Sequence, residues 1–473
     1  MGGVRPLMQV EPHKLPPVPH GLPGLPRSLG VAGVLFLTLS ATTPASSVFV
    51  IVPGMLRVAG SGALIALLIA AIVCVATAYV YAELSSAWPI AGGEYVMVAR
   101  TLGPMAGFVV LGVNVINNLI FTPVVALGVS DVLARVIPGL PQTPVALALI
   151  ALATGCGLLN IRTNALVTGL FLVVELLALA ALCWAGLIAP VQDPVALLLH
   201  PRMPGGAGLV AATPAAIGTA TTIAIFALNG YGMAVYFGED MRDAPRRIGR
   251  VVLAALCLTL ATEILPVAAA IVGTPDLAAF LTGEDPFGAL VAARGGRALG
   301  DWVAAGVAIA IVNAAIVSIL AFARFFYSTA RDGVWGGRLD IRLQLIHPRL
   351  GSPWIATLGI GGVSLVCCLV PLDLLLVLSG AGLVLTYAAI ALAALVGRRT
   401  GATAHAAYRM PLFPVAPVLT LIALAYVVWT SWLDPEEGRP GLIATGIQIA
   451  VSILYYGLVV RRRGAWVTRD PLG

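Results

Sequence analysis

The sequence predicts an all-α polytopic membrane protein. Of its 473 residues 59% are hydrophobic and only 10% are charged, the mean hydropathy is +1.00, and the apolar residues come in long unbroken runs. Soluble domains run at about 45–50% apolar and about 25% charged, so a soluble globular protein is excluded. Roughly 280 hydrophobic residues, at about 20 to 24 per span, are enough for on the order of a dozen membrane helices. A transmembrane β-barrel is excluded too, because its strands read as ~10-residue alternating segments.

Residues 1–28 carry Pro6, Pro12, Pro16, Pro17, Pro19, Pro23 and Pro26, which prevents a regular helix and marks a flexible leader. No signal peptide is expected, since the first apolar run starts late, is too long and is not followed by a clear cleavage site. Apolar runs follow at 29–56, 61–86, 104–130, 144–160, 165–190, 214–238, 248–273, 300–327, 353–370, 372–396, 412–433 and 441–460. These give twelve transmembrane helices, here called spans 1 to 12, with both termini on one side. With that side inside, inner segments carry 21 of the 27 basic residues and outer segments 6. The positive-inside rule therefore predicts cytoplasmic termini and a multi-pass protein of the cell inner (cytoplasmic) membrane. The longer outer loops, 191–213 and 274–299, have room for a short surface helix or lid, and neither is long enough to be a domain.

The net charge of +6 does not indicate nucleic acid, because the basic residues sit in short loops between apolar runs. Lys14 is the single lysine, and arginine is always charged and unsuited to proton exchange. Cys74, Cys156, Cys183, Cys257, Cys367 and Cys368 lie in or beside apolar runs. They show neither zinc nor disulfide-framework spacing and read as small hydrophobes. No metal site and no cofactor is expected.

Spans 1 and 6 are predicted to break. Span 1 carries Ser40-Ala41-Thr42-Thr43-Pro44-Ala45-Ser46 at mid-depth, where proline removes a backbone hydrogen bond and clashes with the preceding turn. Span 6 carries Asn229-Gly230-Tyr231-Gly232 at mid-depth, poor helix formers in a helix centre. Pro44, Gly230 and Gly232 are thus the helix-break residues. Non-helical backbone survives at membrane depth only where it lines a cavity or is buried in protein. Breaks in the first and sixth spans are the mark of a five-plus-five inverted repeat around a central substrate site. The expected division is 1–28 cytoplasmic leader, 29–190 first repeat (spans 1–5), 191–397 second repeat (spans 6–10), 398–463 two peripheral helices (spans 11–12) and 464–473 cytoplasmic tail. A half-helix N-terminus suits a carboxylate and the carbonyls ending the preceding half-helix suit an ammonium, which together complement a zwitterion. The alternative is that Pro44 only kinks span 1 and the span-6 glycines only allow close packing.

Further motifs lie between the spans. Tyr81-Ala82-Glu83-Leu84, Pro89, Gly92-Gly93-Glu94-Tyr95 and Gly103-Pro104, the inner loop Glu239 to Ile248, and Ala330-Arg331-Asp332-Gly333 together resemble, in order and spacing, the amino acid–polyamine–organocation (APC) family of transporters over nearly the whole chain. The resemblance implies ten core helices in two inverted repeats plus two peripheral ones, working by alternating access. The family's first-span motif falls on Ala45-Ser46-Ser47-Val48-Phe49, so the resemblance assigns substrate binding to Ala45, Ser46, Ser47 and Val48, with the backbone amides of Ser46 and Ser47 on a carboxylate. Both family glycines are replaced here. The amine-binding carbonyls carry over to Phe226, Ala227 and Asn229, beside Gly230, and Phe226 also matches the family's aromatic gate.

A charge at mid-bilayer costs about 2.5–3.5 kcal/mol on insertion scales, so Glu175 in span 5 and Glu263 in span 7 stand out. Burial disfavours the charged form of a carboxyl, and both are proton-coupling candidates, the alternative being a glutamate that staples helices. Glu83 reads as structural or gating. Asn114 and Asn118, four apart in span 3, share a face and read as helix cross-links or substrate contacts.

The expected function is secondary active transport of a neutral amino acid, coupled to protons, with sodium left open. A neutral substrate is expected because Gly232 falls close to where some diamine-exchanging members of the resembled family carry a glutamate, and because no other acidic residue lies near the two breaks in the sequence. An amino acid/amine exchanger or a γ-aminobutyrate-type permease is the alternative, and a non-transporting membrane sensor the reading from another class. An enzyme is not expected: His13, His20, His200, His347 and His405 all fall in loops, and no catalytic cluster is placed on a span. Expected partners are the substrate, the proton and the bilayer, with the protein a monomer or dimer.

Overall fold

The computed structural model describes residues 24–136, 139, 141–206, 208–379, 381–464, 466 and 468–471. Residues 1–23 of the leader, with Arg5 and Lys14, lie outside the described residues. The described chain is almost wholly helical, with one small antiparallel hairpin pairing Arg202–Gly205 with Gly208–Ala211. Among the described residues nine stretches are long and apolar enough to cross a membrane. The first, Val31–Ala87, has 57 residues and holds both span 1 and span 2, divided by a turn at Gly60–Gly62. Shorter apolar helices, Gln142–Gly157 and Trp354–Cys367, stand at spans 4 and 9. The helical state follows from the solvent: hydrocarbon offers no partner to a peptide group, so each run closes its hydrogen bonds within itself.

Burial sorts the spans. The most apolar window of Arg297–Arg331 (span 8) is 78% buried, whereas those of Val415–Leu433 and Gly438–Arg463 (spans 11 and 12) are 28% and 22% buried. Span 8 is therefore central and spans 11 and 12 are peripheral. Large apolar side chains cover the outside, as with Leu166, Leu170 and Leu177 along Ile161–Leu187 (span 5), an arrangement that suits lipid rather than water.

Loops of one parity meet at one end of the bundle. There Leu29 pairs with the segment after span 6, its N–H donating to the Asp240 carbonyl (2.9 Å) and its own carbonyl accepting from Arg242 (2.9 Å). Arg398, at the end of span 10, grips the buried Glu83 of span 2 bidentately at 2.7 and 2.6 Å. Arg331 does the same to Glu239 at 2.7 and 2.9 Å, and the last described residues join in through Arg100–Asp470 (3.1 Å) and the Arg469 N–H on Asp332 Oδ1 (2.9 Å). Loops of the other parity also contact one another. The hairpin residue Arg202 donates its N–H to Ser61 Oγ (2.9 Å), and Arg294 reaches the Gly273 carbonyl at 3.0 Å. The loops 191–213 and 274–299 carry short helices at Pro194–Leu199, Leu277–Thr282 and Pro286–Gly295, where the sequence has room for them.

Arg324 and Asp240 form the most deeply buried ion pair, 1% and 0% exposed, with Nε to Oδ2 at 2.5 Å. The guanidinium also donates to the Leu320 carbonyl (2.9 Å) and lies over Phe237. Removing one partner of such a pair strands a buried charge and costs about 3–5 kcal/mol, whereas replacing both by apolar residues is often close to neutral. Asp240→Asn and Arg324→Met are each expected to lower the unfolding temperature of the detergent-purified protein sharply. The double variant Asp240→Leu/Arg324→Met is expected to lose much less than the sum, and additive losses would refute a tightly coupled pair.

Candidate functional site

The helix Val31–Thr42 stops at Thr43, whose φ of 45° and ψ of 66° place a β-branched residue in the left-handed region. Such strain costs on the order of 1–3 kcal/mol and persists only where the surroundings enforce it. Pro44 follows at the first position of the next half-helix, where its missing N–H is no loss. It has no N–H to offer the Ser40 carbonyl. The Ala45 N–H turns away from the Ala41 carbonyl and donates to Glu175 Oε1 at 2.9 Å, so a carboxyl from span 5 caps the second half-helix. The chain continues as a π-turn over Ser47–Ile51 and an α-helix over Val52–Ala59. Pro53, unable to donate to the Phe49 carbonyl, accounts for the wider turn.

Span 6 breaks at matching depth. The helix Pro214–Ala227 ends, the Asn229 N–H folds back to the Phe226 carbonyl (3.2 Å), and after Gly230 the chain resumes as a 3-10 helix over Tyr231–Phe237. Gly230 has a φ of 118°, and a Cβ there would lie 2.7 Å from Thr42 Cα. The two breaks therefore pack on each other with no side chain between them. Ser47 Oγ completes the join by donating to the Ala227 carbonyl at 3.0 Å.

A cavity of about 480 Å³ opens at this junction, a size suited to a small polar solute. Of the residues expected from sequence, Ser46, Ser47, Phe226, Ala227, Asn229, Gly230 and Gly232 line it. Pro44, Ala45 and Val48 are buried outside the lining. Three of the expected backbone contacts are already used inside the protein, the Ser47 N–H by the Thr43 carbonyl (3.0 Å), the Ala227 carbonyl by the Ser47 hydroxyl and the Phe226 carbonyl by the Asn229 N–H. Glu175 and Glu263 are fully buried and stand behind the span-1 break rather than in the lining. Glu175 Oε2 and both Glu263 oxygens have no hydrogen-bond partner among the described residues, although the Ser47 hydroxyl lies beside Glu263. A second cavity of similar volume, lined by Asp285, Arg297 and Asp301, touches span 1 only at Phe49 and Val50 and includes neither break.

Sequence reasoning placed no acidic residue other than Glu175 and Glu263 near the breaks, and the structure corrects this. Glu94 lines the cavity. It accepts hydrogen bonds from Tyr81 Oη (2.9 Å), Tyr236 Oη (2.9 Å) and Asn114 Nδ2 (3.4 Å). It is distant from both breaks in sequence and returns to them because the turn at Gly92-Gly93, with Gly93 at φ 63°, folds the helix Glu94–Leu102 back under span 2. A glutamate between a double glycine and a tyrosine, in a chain with so few charges, was the available signal. The lining also holds Tyr387, whose hydroxyl donates to Asn229 Oδ1, and Asn117 and Asn118. Asn114 is both a cavity residue and a cross-link, since its Oδ1 accepts from Thr386 at 2.8 Å. Glu83 lies outside the lining, held by Arg398. Among the described residues no group of three or more His, Cys, Asp or Glu is placed to hold a metal.

Because Gly230 meets Thr42 backbone to backbone, Gly230→Ala is expected to separate the breaks. The variant should fold with a loss on the order of 1–3 kcal/mol from the left-handed φ alone, seen as a lower unfolding temperature, and should bind ligand poorly. A variant with unchanged unfolding temperature would show that the contact is not close.

Residues 29–459 match the amino acid permease family. The branched-chain amino acid permease BcaP of Bacillus subtilis is 23% identical over 429 residues, covering 86% of this chain and 89% of that one. An uncharacterized transporter of Mycobacterium tuberculosis is 28% identical over 346 residues, 73% of this chain and 74% of its own. The low-affinity putrescine importer PlaP of Escherichia coli is 20% identical over 395 residues, 81% and 83% of the two chains. With an all-helical membrane fold, two broken helices and a match across most of its length, the chain belongs to the amino acid permease family.

Proposed function

We propose that this protein is a secondary transporter that carries an amino acid or a closely related amine-bearing solute across the cytoplasmic membrane by alternating access. The observation that carries the reading is the direct contact of two broken helices beside a cavity that both line. Free backbone groups at membrane depth are costly unless a ligand or the protein uses them. The last turn of Val31–Thr42 presents carbonyls that Pro44 and Ala45 do not serve, and with the negative end of that half-helix these favour an ammonium. Ser46 supplies a small hydroxyl on the opposite rim, while the hydroxyl and N–H of Ser47 are taken by the Ala227 and Thr43 carbonyls. Of the two sequence grounds for a neutral side chain, the absence of an acid is withdrawn by Glu94 in the lining, while Gly232 remains where diamine-exchanging relatives carry a glutamate. In this reading the cytoplasm lies on the side of Glu83, Arg331 and Arg398, and the two five-helix repeats rock about the site.

Proton coupling is assigned to Glu175, with Glu263 as its neighbour. The ionised Glu175 carboxyl makes a charge-assisted bond to the start of the second half-helix, and such bonds are roughly twice as strong as neutral ones. A proton arriving there weakens the cap and frees the half-helix to move. Exchange of one amine-bearing solute for another uses the same cavity, and counterflow from loaded vesicles separates it from gradient-driven uptake.

Glu175→Gln keeps an acceptor for the Ala45 N–H and cannot titrate. Uptake driven by a pH gradient into proteoliposomes should be abolished while counterflow exchange remains, and an unchanged pH dependence would sink the assignment. Glu175→Leu loses the cap as well and should cost a further ~0.5–2 kcal/mol of stability.

A further inference from the structure

At the end of the bundle where Glu94 sits, three buried carboxylates come with a cation, while the buried Asp332 is held by the Tyr95 hydroxyl and the Arg469 N–H. Glu83 has Arg398, Glu239 has Arg331 and Asp240 has Arg324, each within 2.7 Å. Glu94 is only 4% exposed and belongs to none of the ion pairs among the described residues. Its three donors are neutral, two tyrosine hydroxyls and an amide, and Arg100 on the same helix is engaged with Asp470. It is also the one Asp, Glu, Lys, Arg or His in the cavity lining. Its own N–H at the start of the helix adds to these bonds, so they hold the carboxylate's orientation and leave its charge without a counter-ion. A buried charge without a partner is costly, and a cavity holding one fixed negative charge draws cations. The rings beside it strengthen the same preference, because Tyr81, Tyr236, Phe322 and Tyr387 all line the cavity and aromatic faces attract ammonium groups.

We propose that Glu94 is a second cation subsite, so that the ligand of this cavity carries an ammonium group in addition to the one held at the helix breaks. The ligand class is then a dibasic amino acid or a diamine. This rests on the permease reading above and narrows its substrate. One ammonium sits against the carbonyl end of the first half-helix and the other replaces the missing arginine at Glu94. The contact chain from Asn229 through the hydroxyl of Tyr387, across the Tyr387–Tyr81 ring pair (centroids 5.8 Å apart) and on to Glu94 forms a continuous wall between the two positions.

The test measures dissociation constants of L-lysine and L-norleucine, which differ by an ammonium in place of a terminal hydrogen, on the full chain in nanodiscs, with putrescine and n-butylamine as a second matched pair. The wild-type protein should bind the doubly cationic member of at least one pair tenfold or more tightly than its partner. Glu94→Gln should shrink that ratio at least tenfold, and Glu94→Asp should keep a preference for the dication. Equal or tighter binding of norleucine and butylamine to the wild type overturns the proposal without need of a variant, and so does an unchanged ratio in a folded Glu94→Gln. If norleucine or leucine binds and no dication is preferred, the permease reading stands and only the subsite falls. If no amino acid or amine binds to the folded protein, both fall together.

Discussion

Hydrocarbon cannot solvate a peptide group, and every break in a membrane helix must find its replacement bonds inside the protein. Here one replacement comes from span 5 of the same half and the others from the opposite half of the chain. The Ala45 N–H takes Glu175, the Ala227 carbonyl takes Ser47, and Gly230 lies on Thr42 with no side chain between. The rest of the fold is arranged so that these exchanges hold. The strained backbone of Thr43 is tolerated because Leu39 accepts its N–H and because the second half-helix is anchored from span 5.

The charge economy of the chain follows the same constraint. With charges at 10% of residues, each carboxylate that enters the protein interior has a definite function in the bundle. Glu83, Glu239 and Asp240 tie the ends of spans 2, 6, 8 and 10 through bidentate or doubly bonded arginines. Glu175 ends a half-helix. Glu94, Glu175, Glu263 and Asp332 belong to no ion pair among the described residues, Asp332 being held by Tyr95 and the Arg469 N–H, Glu94 standing in the cavity lining and Glu263 just behind it. The division separates structural carboxylates from those available to a ligand or a proton.

Much of the architecture was legible in the sequence, because apolar run length and proline or glycine at mid-span are local signals. Pro44 and Asn229-Gly230-Tyr231-Gly232 marked both breaks, although the left-handed residue is Thr43 and the distortion runs on to Pro53. The candidate site was legible only along its two strips of backbone. Ser46, Ser47, Phe226, Ala227, Asn229 and Gly230 came from those strips. What stayed hidden depends on residues far apart in sequence. Glu175 reaches Ala45 across 130 positions and Tyr236 reaches Glu94 across 142. A composition count sees a glutamate after two glycines, but only the packed helices show that it looks into the same cavity as the breaks.

The docking of the chain's last described residues has a practical side. Residues 468–471 lie against the bundle, with the Arg469 N–H on Asp332 and Asp470 on Arg100, and Asp332 in turn accepts from Tyr95 at 2.8 Å. Tyr95 is the residue after Glu94. A purification tag fused behind these residues pulls on a hydrogen-bonded path that ends one peptide unit from the cavity carboxylate. Affinities measured on such a fusion report on an altered floor of the cavity, and the tag is better cleaved before any ligand is ranked.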